Sequence, residues 1–309
     1  MRIITITLNP AFDIHCSAKA LALYHENFVK TTTVDAGGKG INLSRALIAN
    51  GIDNETVVIV GRENADTYEK ALERDGLTVV PIPTSGRIRE NITIHEEGLP
   101  ETRISFDGFS CSADILEEVA KRIGFTDSQT ILAFTGSAPA GIDADAILAF
   151  LQHFQKSGAK VIIDSRSIPF EKLMAFQPWL IKPNQDEAAI FSGRKVETLE
   201  DALSAATEFH KAGAINVLLT LGGDGAVLAC PQGVFYAQTP TIDAKSTIGA
   251  GDSTIAGFID GTLRNLSPED LLKRAVAYGT AACLQEGTLP PKKEDVYSVE
   301  TAITITQKG

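Results

Sequence analysis

The sequence predicts an α/β fold: a mostly parallel central sheet covered by helices on both faces, with a small β-sheet lid. Three observations point there. Short continuous apolar runs alternate with helix-period segments, as expected of strands buried on both faces. Glycine-rich segments sit where the carboxyl ends of strands would be, the edge at which open α/β sheets bind ligands. Two stretches, 11–36 and 87–109, break the alternation with short runs such as "NFVKTTTV" and "RENITI". These read as half-exposed strands of one small sheet over the cleft mouth, where closure would exclude water. The chain, 1–309, is read as a single domain carrying these two lid segments.

The elements follow in order. "RIITITL" (2–8) is a β-branched strand. "INLSRALIAN" (41–50) has helical spacing at Ile41, Leu43, Ala46, Leu47 and Ile48, with Gly51 as the stop. Strand 55–61, helix 65–76 and strand 77–82 come next. Beyond residue 110 the alternation is regular: helix "SADILEEVAKRIG", strand 129–136, helix "DADAILAFLQHFQKSG", strand 159–165. A short strand "WLIKPN" (179–184), helix 185–192, helix "LEDALSAATEFHKAG" and strand 215–222 continue it. "GAVLAC" and "GVFYAQ" read as an antiparallel pair, and two final helices are expected over 250–263 and 268–286.

Composition narrows the function classes. The chain has 309 residues, 44% hydrophobic, ordinary for a globular core. Lys+Arg 28 against Asp+Glu 39 gives a net charge of −11, which argues against general binding to nucleic acid or an anionic membrane. Cys16, Cys111, Cys230 and Cys283 are scattered, with no metal-binding spacing, and read as reduced thiols of a cytoplasmic protein. The N-terminal "MRIITITLNP" lacks the features of a signal peptide, and no apolar run approaches the ~20 residues of a membrane span.

Five segments could carry chemistry. In "STIGAGDSTIAGF" (246–258), Gly249, Ala250 and Gly251 precede a helix whose first turn holds Asp252. Free amides at a helix start suit an anion, and small residues let it approach. Taken alone, Asp252 could equally be a favourable first-turn acid. Gly257 and Gly261, four apart, allow close helix packing. "VDAGGKGINLSRAL" (34–47) places Gly37, Gly38 and Lys39 before a helix with Asn42 in its first turn, a bare backbone on which a polyol could lie. "TLNPAFD" (7–13) delivers Asp13, an acceptor for sugar hydroxyls, to the same end of the sheet. "IKPNQDE" (181–187) presents Lys182, Asn184 and Glu187, and Glu187 could orient a water on Mg²⁺. "TLGGDGAVL" (220–228) offers Thr220, Gly222, Gly223 and Gly225 as a turn over a nucleotide. No G-x-x-x-x-G-K-[ST] or G-x-G-x-x-G occurs, so a P-loop is excluded and a Rossmann site is weak.

Together "AGGKGIN", "TGSAPAG", "KPNQDE", "TLGGDGAV" and "TIGAGDSTIAGF" resemble, in this order, the ribokinase-like sugar kinases of the PfkB family. The motifs span about residues 7 to 258, and "TLNPAFD" is similar to the start of its phosphohexose kinase branch. The resemblance implies a ribokinase-like three-layer sandwich with a β lid, phosphoryl transfer from ATP with Mg²⁺, and a homodimer through the lid. It implies that Asp252 is the base and that the amides of Gly249, Ala250 and Gly251 form the anion hole. Thr220, Gly222, Gly223 and Gly225 then face the nucleotide, with Lys182, Asn184 and Glu187 near phosphates and metal. Asp13, Gly37, Gly38, Lys39, Asn42 and Ser137 face the sugar, and Arg89 and Arg103 its phosphate.

The substrate signals conflict. Relatives acting on fructose phosphates often carry a lysine four residues after the arginine of "RENITI", where this chain has Thr93. Arg103 is similar to an arginine of the minor 6-phosphofructokinases, whereas "SFDGF" (105–109) is closer to 1-phosphofructokinases. The favoured expectation is fructose 1-phosphate, ahead of tagatose 6-phosphate and fructose 6-phosphate. A kinase for an unphosphorylated sugar or nucleoside, and a non-catalytic sugar-phosphate sensor, are the rivals.

Overall fold

The structure, a computed structural model, describes residues 1–99 and 101–307. Pro100, inside the expected lid segment 87–109, and residues 308–309, at the end of the expected domain, lie outside the described residues. The strands are β1 (Arg2–Thr7), β2 (Ala11–Ala18), β3 (Lys30–Gly37), β4 (Glu55–Gly61), β5 (Thr78–Thr84), β6 (Arg89–Glu96), β7 (Thr102–Ser105), β8 (Thr130–Thr135), β9 (Lys160–Asp164), β10 (Leu180–Ile181), β11 (Asn216–Thr220), β12 (Ala226–Cys230), β13 (Gly233–Gln238) and β14 (Thr304–Gln307). The helices are α1 (Lys39–Ala49), α2 (Ala65–Arg74), α3 (Ile115–Ile123), α4 (Ala144–Lys156), α5 (Phe170–Phe176), α6 (Gln185–Ser192), α7 (Leu199–Ala212), α8 (Ala250–Leu263), α9 (Pro268–Ala282) and α10 (Lys293–Ala302).

The large sheet runs β14-β13-β12-β11-β10-β9-β8-β1-β4-β5. It is parallel from β11 to β5 and antiparallel from β11 to β14. Alternate side chains feed two apolar layers: Ile4 and Ile6 of β1 face one, Ile3 the other. The first layer packs α2 to α7 and the second α1, α8, α9 and α10, which gives the three-layer sandwich. Pro81 and Pro83 are tolerated in β5 because it is the edge strand. The second sheet, β3-β2-β6-β7, is the expected lid. It pairs β2 with β6 in parallel and β2 with β3 antiparallel. No helix among the described residues is long and apolar enough to cross a membrane.

Four expectations need correction. The helix expected over 268–286 ends at Ala282, where the chain tightens into turns that close on Gly287 (φ 58°). Two final helices were expected, but α10 and β14 follow them. Only Val296 and Val299 of α10 are buried, too thin a stripe to read, and β14 is a short, largely exposed edge. The run "NFVKTTTV" forms a strand only from Lys30. "WLIKPN" contributes only Leu180 and Ile181 to the ladder, because Pro183 has no amide to give.

Helix α8, which carries the GAGD turn, is held tightly. A Cβ on Gly257 would lie 2.7 Å from the Arg274 carbonyl, and one on Gly261 would lie 3.2 Å from Leu271 Cα. Buried Asp260 accepts from Arg264, Arg274 and the Tyr278 hydroxyl, tying α8 to α9. The functional turn is therefore the end of a rigid rod.

Candidate active site

The chain enters α8 through Gly249, whose φ of 79° is a left-handed conformation that disfavours side chains. The Ala250 amide donates to Thr247 O at a long 3.3 Å. Among the described residues, the amides of Gly249, Gly251 and Asp252 have no hydrogen-bond partner. Of the three amides expected in the anion hole, Ala250's is thus partly engaged, and Asp252's own amide joins the open set. Their partial positive charge is reinforced by Lys182, whose Nζ would lie 3.0 Å from a Cβ on Gly251.

Asp252 is buried and points from the helix start toward α1. Its Oδ2 accepts from Asn42 Nδ2 at 3.0 Å, which leaves Oδ1 for an acceptor hydroxyl. Asn42 Oδ1 faces Arg45 at 3.5 Å, consistent with that amide orientation. Burial pushes the Asp252 carboxyl up to about 6, opposed by Lys39, Asn42 and Lys182 and assisted by Asp164.

Sequence reading missed Asp164, at the end of β9. Lys39 Nζ contacts it at 3.0 Å and Lys182 at 3.8 Å. Burial works against its charge, but Lys182, Lys39 and Arg166 outweigh it and hold the carboxyl below the usual range. Burial likewise opposes the charge of Lys39, but Asp164 and Asp252 raise its pKa. The site therefore alternates sign, two acids and two lysines, with Asp252, Asp164 and Lys182 buried and Lys39 partly exposed.

On the other side of the α8 start lies a cavity of about 520 Å³, within the range of small-molecule sites. Asn184, Thr220, Gly222, Gly223 and Gly225 line it, together with Ala250 and Gly251; Lys182 and Glu187 do not. Gly225 is required there, because a Cβ would lie 1.9 Å from the Ala237 carbonyl. Sequence reading missed the opposite wall: Thr239, Pro240 and Thr241 of the loop after β13, and Val276, Gly279, Thr280 and Cys283 of α9 and its end.

Lys182, Asn184 and Glu187 divide. Lys182 is buried beside Asp164 and Gly251. Asn184 caps α6 by accepting from the Glu187 amide, and Glu187 Oε2 accepts from the Asn184 amide, a capping box. Glu187 Oε1 takes Arg166 Nε at 2.8 Å, so both of its oxygens are engaged.

The lid side gathers the remaining residues. Asp13 Oδ1 accepts from Asn91 Nδ2 at 3.0 Å and Arg103 Nη2 at 3.3 Å. Its Oδ2 packs so closely on Gly37 that a Cβ there would lie 2.0 Å away. Gly38 (φ 138°) is the N-cap of α1, directly before Lys39. Arg89 has a buried Nε without a partner and a long bond from Nη2 to Asn9 O. Burial pulls its pKa down, and Arg103 adds to this against the pull of Asp13 and Asp107. Ser137 Oγ accepts from Asn9 Nδ2 at 3.2 Å. Asn9 and Asn91 were missed, although both lie inside quoted motifs.

Open amides at a helix start, a cavity of about 520 Å³ on one side and a carboxylate on the other suit a phosphotransferase that acts on a hydroxyl group. Comparison with known proteins agrees. Residues 9–295 match the pfkB family carbohydrate kinases, and the chain belongs to that family. Membership implies ATP as the phosphoryl donor. A 1-phosphofructokinase of Escherichia coli (strain K12) is 32% identical over 285 residues, covering 92% of this chain and 91% of that protein. One from Vibrio cholerae serotype O1 is 28% identical over 308 residues, 99% of this chain and 96% of that protein. A crystal structure of phosphofructokinase-2 from Escherichia coli, in complex with substrates and products, has a TM-score of 0.92 at 25% identity, covering 98% of this chain and 99% of that one.

Proposed function

We propose that this kinase phosphorylates a hexose phosphate, and that fructose 1-phosphate is its substrate, converted to fructose 1,6-bisphosphate. The observation that carries the reading is the pair Arg89 and Arg103, converging with Asp13 on the lid face of the cleft. A neutral sugar has no use for two guanidinium groups, whereas a phosphate takes each as a fork. Thr93 is buried and pairs in register with Arg103 across β6 and β7. Arg103 thus stands beside the position where a lysine is common and supplies the cation there. The relatives named 1-phosphofructokinase support this choice. Fructose 6-phosphate is the second reading, because a phosphofructokinase-2 structure in complex with that sugar shares this fold.

In this mechanism the acceptor hydroxyl lies against Asp252 Oδ1. As its oxygen bonds to the γ-phosphorus, its proton passes to Asp252 and the bond from that phosphorus to the β–γ bridging oxygen breaks, releasing ADP. The amides of Gly249, Gly251 and Asp252, with Lys182 behind them, hold the charge of the moving group. Asn42 orients the base. Mg²⁺ would neutralise phosphate charge. Among the described residues no group of three His, Cys, Asp or Glu side chains is placed to hold a metal. The ion would be held mainly by phosphate and water oxygens; Glu187, whose two oxygens already accept from the Asn184 backbone and Arg166, would meet it only through water. The homodimer through the lid is part of the proposal: Val34, Ile104 and Phe106 are exposed on or beside its strands, with Leu23, Tyr24 and Phe28 in the adjoining loop.

A coupled ATP-consumption assay across fructose 1-phosphate, fructose 6-phosphate, tagatose 6-phosphate, fructose and nucleosides tests the reading. The highest kcat/KM is expected for fructose 1-phosphate. A higher value for another hexose phosphate replaces the substrate, and a higher value for any neutral acceptor overturns the class.

A further inference from the structure

Tyr68 lies on α2, and no step above uses it. Its ring is completely buried. Its hydroxyl donates to the Gly37 carbonyl at 2.6 Å, and its ring meets Phe12 edge-on with centroids 5.3 Å apart. Burial raises its pKa, so the hydroxyl stays a donor throughout the working pH range. Phe12 stands near the start of β2 and Gly37 ends β3. One side chain from the body therefore grips both lid strands where they join it.

The contact with Gly37 has geometric consequences. Gly37 can carry no side chain, since a Cβ would collide with Asp13 Oδ2, so its backbone is the only handle on it. A trans peptide points its C=O and N–H in opposite directions. Holding the Gly37 carbonyl toward α2 therefore aims the Gly38 N–H away from α2. The same peptide sets the entry of α1, whose first turn carries Lys39 on Asp164 and Asn42 on Asp252.

We propose that Tyr68 is a positioning residue for the acceptor sugar: its bond to the Gly37 carbonyl sets the Gly37–Gly38 peptide and the floor beneath Asp13. This rests on the reading that the acceptor lies against that backbone, and it holds for whichever sugar the enzyme prefers. The test is Tyr68→Phe, which keeps the ring on Phe12 and removes only the hydroxyl. It is assayed with the acceptor the wild type turns over best, so a wrong choice of sugar leaves the test intact. Acceptor KM should rise about tenfold while kcat and ATP KM stay within about threefold. An unchanged acceptor KM, with or without a lower Tm, overturns the proposal. So does an equal rise in both KM values, which would report general loosening.

Discussion

The two sides of the cleft are built by different means. On the nucleotide side the wall is mostly backbone and small residues: Gly222, Gly223 and Gly225 after β11, Ala250 and Gly251 on α8, Gly279 on α9. On the lid side the wall is made of side chains: Asn91 and Arg103 bond Asp13, and Arg89 feels the charges of Asp13 and Arg103. Backbone amides bind any polyphosphate of the right shape, so that half specifies a chemistry. Side chains on strands can be exchanged one at a time, so that half specifies a substrate. Asp252, the proposed base, stands between them, on the helix that α9 holds.

The sharpest break between the halves is Asp252→Asn, which leaves the backbone amides and the lid arginines in place. Turnover should fall by about 10²- to 10⁴-fold with ATP affinity nearly unchanged, as read by steady-state kinetics and calorimetry. On the lid side, Arg89→Ala or Arg103→Ala should raise the KM for the phosphosugar by about 10- to 100-fold and leave ATP KM alone. If either variant weakened ATP instead, the division of labour would be wrong.

Gly279→Ala is the matching change on the nucleotide side. Its Cβ would lie 2.2 Å from Thr254 Oγ1 and 3.1 Å from the Ala250 carbonyl. Overpacking of this kind costs about 1–3 kcal/mol of stability, and ATP KM should rise while acceptor KM does not.

The pH profile sharpens the role of the base. Asp252 must be ionised to take a proton, and its pKa is about 6. Activity should therefore rise with pH through about 6, and this limb should vanish in Asp252→Asn. The smallest expected effect has the opposite sense. A carboxyl raised in the fold costs stability as pH climbs from its ordinary value toward about 6. At pH 7 to 8, Asp252→Asn should melt no lower than the wild type.

How much of this was legible follows from the same contrast. The GAGD turn, the glycines after β11 and the lid strands announce themselves, because a left-handed or bare backbone requires particular residues. Asp164 does not: it is a lone acid at a strand end, joined to the site only by Lys39 and Lys182 from distant parts of the chain. The wall from Thr239 to Cys283 is likewise assembled only by folding. The sequence "KPNQDE" suggests phosphate and metal chemistry for Asn184 and Glu187, yet N-x-x-E is also a capping-box signature, and their hydrogen bonds form that box.

A crystal structure of the wild-type enzyme with a non-hydrolysable ATP analogue and its preferred sugar phosphate bears most directly on the whole scheme. The γ-phosphate should rest on the amides of Gly249, Gly251 and Asp252, with the acceptor hydroxyl hydrogen-bonded to Asp252 Oδ1. A γ-phosphate seated away from that turn, or an acceptor hydroxyl bonded to a different base, would contradict it.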